Sequence, residues 1–127
     1  MECACFDADV DDYSTILEDK MVRARCPHFC CECGRVIEPG EKYRREKTVH
    51  DGICFTHKTC IDCSSIRDNL VCSFFWGDIL ELVQDGIPDR QGNISESAIS
   101  KLTPNARAWV CERIESYWEW EESDDQE

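Results

Sequence analysis

Two Cys-x-x-Cys pairs constrain this chain more than any other feature. Cys30-Cys31-Glu32-Cys33 and Cys60-Ile61-Asp62-Cys63 stand with 26 residues between Cys33 and Cys60. Two residues between thiols let both sulfurs reach one ion at about 2.3 Å, so two pairs predict one tetrahedral zinc held by Cys30, Cys33, Cys60 and Cys63. Gly34 follows the first pair, where a tight knuckle turns and a positive φ is needed. Backbone N–H groups of such a knuckle point at the thiolates and spread their charge. Two variants of the ligand set stay open. Cys30, Cys33, His57 and Cys60 also fit a Cys3His site, and Cys31 could replace Cys30 in a tighter pair. Cys63 is preferred to His57 because Cys60 and Cys63 would share the first turn of a helix, whereas His57 lies in a strand.

The segment between the pairs reads as strands. Val36-Ile37 leads into Glu38-Pro39-Gly40-Glu41, a type II turn by its Pro-Gly order. Tyr43, Arg45, Lys47 and Val49 alternate along one strand. Asp51-Gly52 marks a hairpin, and Ile53 to Thr59 returns. Cys60 then opens a helical segment, Ile61 to Leu70, whose N-terminal dipole favours thiolate. Knuckle, hairpin and helix in this order predict an α+β fold, a small treble-clef-like zinc finger with additional C-terminal helices.

Eleven cysteines in 127 residues exceed ordinary usage. The opening residues Met1 to Asp7 are acidic where a secretory leader is basic, which predicts a cytoplasmic chain whose cysteines bind metal or act in redox chemistry rather than pair as disulfides. No apolar run approaches the ~20 residues of a membrane span. Cys3, Cys5, Cys26 and His28 form a candidate second metal site that would pin the N-terminus to the finger. Cys54, Cys72 and Cys111 sit in apolar contexts and read as small core hydrophobes.

Charge divides the chain. The net charge of −13 comprises −6 over residues 1–20, +3 over 21–60 and −10 over 61–127. The expected organisation is an acidic N-terminal arm (1–22), the zinc-finger module (23–70), a helical part packed on it (71–120) and a frayed acidic tail (121–127). Leu70 to Val83 carries a helical stripe that Gly86 and Pro88 should end. Ser95 should cap a short helix, and Thr103-Pro104 should open a longer one. On that last helix Trp109, Trp118 and Trp120 cannot all share the buried stripe. With Glu115, Glu119 and Glu122 they form a candidate partner-binding surface.

Residues 23–63 resemble a family of short zinc-finger proteins of unknown function from tailed phages and prophages. The resemblance rests on Arg23-Ala24-Arg25, His28, Cys30 to Arg35, Ile37, Pro39-Gly40-Glu41, Tyr43, Asp51-Gly52 and Thr59-Cys60 to Cys63, and extends loosely through Arg67-Asp68 to Trp118. His50 departs from the family, which usually has Trp or Tyr near that turn. The resemblance implies a phage or prophage origin and a zinc site, and no reaction.

Catalysis is not expected. A treble-clef nuclease needs a metal-binding His in its helix, and Ile61 to Leu70 has none. The expected function is that of an acidic, zinc-stabilised accessory protein that binds a host protein with a basic surface. Its target would be a nucleic-acid-handling or defence protein of the anti-CRISPR-target kind, inhibited by charge mimicry, because dense carboxylates steer a protein toward basic surfaces. The alternative is a zinc-finger regulator that binds nucleic acid through Arg44, Arg45, Lys47 and Lys58. Direct nucleic-acid binding is disfavoured by the net charge.

Overall fold

In the computed structural model, residues 6–7 and 15–124 are described. They form a mixed α+β fold: a small antiparallel sheet, short flanking strand pairs and C-terminal helices. The main sheet has the order β2 (Thr15–Arg23), β5 (Lys42–His50), β6 (Ile53–Cys60), while β3 (His28–Phe29) pairs with β4 (Val36–Ile37) to form the knuckle. Helix α1 (Ile61–Leu70) follows β6 directly. Strand β7 (Val71–Ser73) then pairs in parallel with β1 (Phe6–Asp7), before α2 (Ile79–Asp89), α3 (Glu96–Ser100) and α4 (Pro104–Asp124).

The turns obey their residues. Glu41 N–H donates to Glu38 O at 3.0 Å with Gly40 at φ 92°, which is the Pro-Gly turn expected. Asp51 (φ 53°) and Gly52 (φ 76°) link β5 to β6 as a two-residue hairpin with both residues left-handed. Thr103 Oγ1 accepts from Ala106 N–H at 3.3 Å, and Ser95 Oγ from Ala98 N–H at 3.4 Å, so both predicted caps form.

Strand β2 lies in the segment expected to be an arm. It has little apolar alternation, and what holds it is the backbone ladder to β5 reinforced by opposite charges across the strands. Asp19 grips Arg44 in two hydrogen bonds of 2.9 and 2.8 Å, and Glu18 meets Arg45 at 3.2 Å. Apolar periodicity therefore missed it.

The helix expected from Leu70 to Val83 is instead strand β7, a turn and a later helix. Glu32, on the knuckle, takes the place of a local cap: its carboxylate accepts the Gly77 N–H at 2.8 Å and the Ile79 N–H at 3.0 Å, so α2 starts where the knuckle lets it. Gly86 and Pro88 do not end α2, which runs to Asp89. A Schellman cap closes it. Gln91 takes φ 57°, its N–H reaches Pro88 O at 3.0 Å, and Gly92 N–H reaches Ile87 O at 3.0 Å. Helix α4 continues through residues 121–124, into the segment expected to be a frayed tail.

Two clusters hold the fold. Ile66 and Leu70 of α1, Ile79, Val83 and Ile87 of α2, Leu102, and Ala106, Val110 and Ile114 of α4 form the helical core. Ala24, Cys30, Ile37, Tyr43, Cys60 and Cys63 form the second, in which half the members are cysteines. Between sheet and helices lies a buried polar joint. Arg67 of α1 donates to Glu46 of β5 at 2.7 and 3.1 Å, Trp76 Nε1 adds a bond to the same carboxylate at 3.2 Å, and His57 stacks on Trp76 with centroids 4.4 Å apart.

The core reading of three cysteines fails. Cys54 and Cys72 lie on the surface and Cys111 is half-buried. The start of β6 around Cys54 is exposed, which its apolar residues Ile53 and Phe55 did not reveal. Cys72 is disulfide-bonded, against the expectation of unpaired cysteines.

Candidate metal centre

The knuckle between β3 and β4 supplies Cys30 and Cys33, and the junction of β6 with α1 supplies Cys60 and Cys63. The four Sγ atoms all lie within 4.8 Å of one another. A tetrahedral ion with bonds of about 2.3 Å sets its sulfurs roughly 3.8 Å apart, and Cys33 Sγ lies 3.9 Å from Cys60 Sγ. The cluster could hold a metal ion, and three of its four cysteines are buried.

The backbone is arranged for negative sulfur. Cys30 Sγ accepts the N–H groups of Glu32 at 3.4 Å and of Cys60 at 3.3 Å. Cys60 is the N-cap of α1, and its Sγ accepts the Cys63 N–H at 3.5 Å. Gly34 at φ 78° lets the knuckle turn, and its N–H closes onto Cys30 O at 3.0 Å. Arg35 stands beside the cluster, paired with Glu41 at 2.9 Å.

The hydrogen bond with Cys60 pulls the Cys30 thiol far down, while contact with Cys30 holds Cys60 up at about 11 and drives Cys63 higher still. Cys60 and Cys63 thus resist ionising beside the Cys30 sulfur, and a divalent cation would remove that resistance by binding the four cysteines as thiolates.

The two alternative ligands turn elsewhere. Cys31 Sγ lies 3.4 Å from Thr59 Oγ1, and burial pushes its thiol up to about 11. His57 hydrogen-bonds Thr48 Oγ1 at 3.1 Å and stacks on Trp76, on the sheet face that carries Glu46. Of the candidate second site, Cys26 Sγ and His28 Nε2 come within 3.7 Å, whereas Cys3 and Cys5 lie outside the described residues.

The basic hairpin residues divide. Arg44 faces α1 and is held by Asp19 and by Asp68 at 2.8 Å. Arg45, Lys47 and Lys58 share the opposite face. On α4, Trp118 and Trp120 are 49% and 62% exposed, and Glu115 and Glu119 are exposed beside them. Trp109 is half-buried under the Arg113 guanidinium, and the Glu122 side chain lies outside the described residues.

Sequence reasoning missed Glu32 and the Glu46–Arg67 pair. Glu32 stands inside the knuckle motif and reads as a spacer. Glu46 and Arg67 carry no local signal, because their pairing joins a strand to a helix 21 residues away. No described helix is long and apolar enough to cross a membrane. Compared with known proteins, the chain matches no family model, no curated protein and no solved structure.

Proposed function

We propose that this chain is a non-enzymatic, zinc-stabilised accessory protein that docks on a host protein with a basic surface. Four cysteine sulfurs within 4.8 Å of one another suit zinc, which accepts four thiolates in a tetrahedron and binds soft sulfur well. All four positions are taken by the protein, so the ion would have no open site for substrate and its role would be structural. The order of the ligands, two on a knuckle and two on the first turn of a helix after a hairpin, is that of a treble clef. The resemblance of residues 23–63 to phage and prophage zinc-finger proteins supplies the proposed origin.

The observation that carries the docking surface is the end of α4, where Trp118 and Trp120 stand exposed among Glu115 and Glu119. Tryptophan is enriched where interfaces concentrate their energy, and carboxylates around it steer the surface toward cations. A host protein that handles nucleic acid offers such a basic surface, and an acidic ligand would inhibit it by occupying the place of the nucleic acid.

The test is affinity capture from a bacterial host with the zinc-loaded chain. The expected prey handles nucleic acid, is displaced by added DNA or RNA, and is lost with Trp120→Ala combined with Glu119→Lys. Prey that ignores both the competitor and the variant would overturn the reading.

A further inference from the structure

The sheet breaks a local rule on one face. Lys20, Arg45 and Lys58 are direct cross-strand partners on β2, β5 and β6, so three cations lie in one row across three strands. Like charges directly opposite each other destabilise a sheet. At about 4.8 Å per strand the row is roughly 10 Å long. Lys47 adds a fourth cation one pleat along the same face of β5, and Arg23 and Arg25 add two more from the lead into the knuckle.

These six cations line one groove of about 850 Å³ with His28 and Tyr43, and among the described residues no carboxylate lines it. Glu18 stands at its margin, within 3.2 Å of Arg45, 3.5 Å of Lys20 and 4.0 Å of Lys47. Among the described residues one carboxylate therefore serves three of the cations. Arg23 is turned to Gly40 O at 2.7 Å, and Lys58 Nζ lies 3.3 Å from His28 Nδ1. The Arg45 Nε is buried without a hydrogen-bond partner among the described residues. A concave site with a surplus of donors and positive charge, in a chain of net charge −13, marks where an anion belongs.

We propose that this groove binds the phosphate backbone of single-stranded nucleic acid. A groove on a sheet with cations in a cross-strand row can follow successive phosphates of one strand. A duplex would extend beyond it over the acidic remainder of the molecule. That remainder repels only over short range at physiological salt, where the screening length is about 8 Å. The site is independent of the acidic end of α4, so the two surfaces can fail separately.

The experiment is fluorescence anisotropy of a labelled oligothymidylate, about 12 nucleotides long, titrated with the full zinc-loaded chain between 50 and 200 mM salt. The expected result is saturable binding that weakens with salt. Each phosphate contact contributes about −0.7 to the log–log slope. Arg45→Gln and Lys58→Gln should each weaken binding roughly tenfold, as loss of a charged hydrogen bond does, and each should lower the slope by about one unit or less. Lys101→Gln, an exposed cation outside the groove, is the charge-matched control and should bind like the parent. Lys47→Gln, at an exposed position, repeats the test if Arg45→Gln does not fold. Absence of binding at 50 mM salt overturns the proposal. So does an equal loss in the Lys101 control, which would reduce the effect to net charge. Displacement by polyglutamate as effective as by oligothymidylate also overturns it, in favour of an acidic protein ligand.

Discussion

Glu46 on the central strand and Arg67 on α1 meet through two hydrogen bonds, 2.7 and 3.1 Å long, with their side chains 1% and 5% exposed. This buried pair ties the central strand to α1, beside the apolar cluster that joins Tyr43 and Cys60 to Cys63 and Leu80. Removing Arg67 leaves the buried Glu46 carboxylate with Arg44, 3.9 Å away, as its remaining cation, and breaking a buried pair costs about 3–5 kcal/mol. Arg67→Met should lower the urea-unfolding free energy by that amount, and a loss below about 1 kcal/mol would show that the pair is dispensable.

The metal cluster makes a sharp contrast among neighbouring cysteines. Cys60→Ser removes a sulfur from the cluster and should abolish zinc binding and folding, because structural zinc sites contribute about 10 kcal/mol or more. Cys31→Ser alters a thiol turned toward Thr59 and should keep the metal. Native mass spectrometry with circular dichroism reads both. A well-folded, metal-free Cys60→Ser chain would remove the structural role of the ion.

Trp118 lies on Gly92. A Cβ at Gly92 would stand 2.5 Å from the indole Nε1 and 3.0 Å from Cε2, and the residue has φ 75°. Gly92→Ala should therefore cost about 1–3 kcal/mol from overpacking, in addition to roughly 1 kcal/mol for left-handed backbone. In a Trp118→Ala background the overpacking part should vanish, leaving the backbone part. A double-mutant cycle that shows no coupling would contradict the contact.

His57 stacks on Trp76, and burial lowers its pKa below the ordinary 6.5. The unfolded chain then takes up its proton first as pH falls. The contribution of His57 to stability is full above about 6.5 and is lost as pH falls through the lower folded pKa. Unfolding midpoints should drop over that window in the parent and drop less in His57→Gln. Equal drops in both would exclude His57 as the titrating group.

Much of the metal centre was legible beforehand. Cys-x-x-Cys spacing is a local property, set by the reach of two side chains around one ion, so Cys30, Cys33, Cys60 and Cys63 could be named without coordinates. The same holds for the Asp51-Gly52 hairpin, the Pro-Gly turn and the caps at Ser95 and Thr103, where one residue's backbone preference or hydroxyl decides the outcome. Strand β2 was not legible, because its partners are charges on a strand more than twenty residues away. The start of α2 was not either, because its two N–H groups are satisfied by Glu32 from the knuckle.

By itself the sequence determined the four clustered cysteines, the α+β class and the turns, from side-chain spacing and local backbone preference. Only the tertiary structure decided which cations stand together. Alternation along β5 separates Arg44 from Arg45, but it takes the register of three strands to bring Lys20, Arg45 and Lys58 into one row and to bury Glu46 against Arg67. Register depends on pairing between distant segments, and no local pattern of residues encodes it.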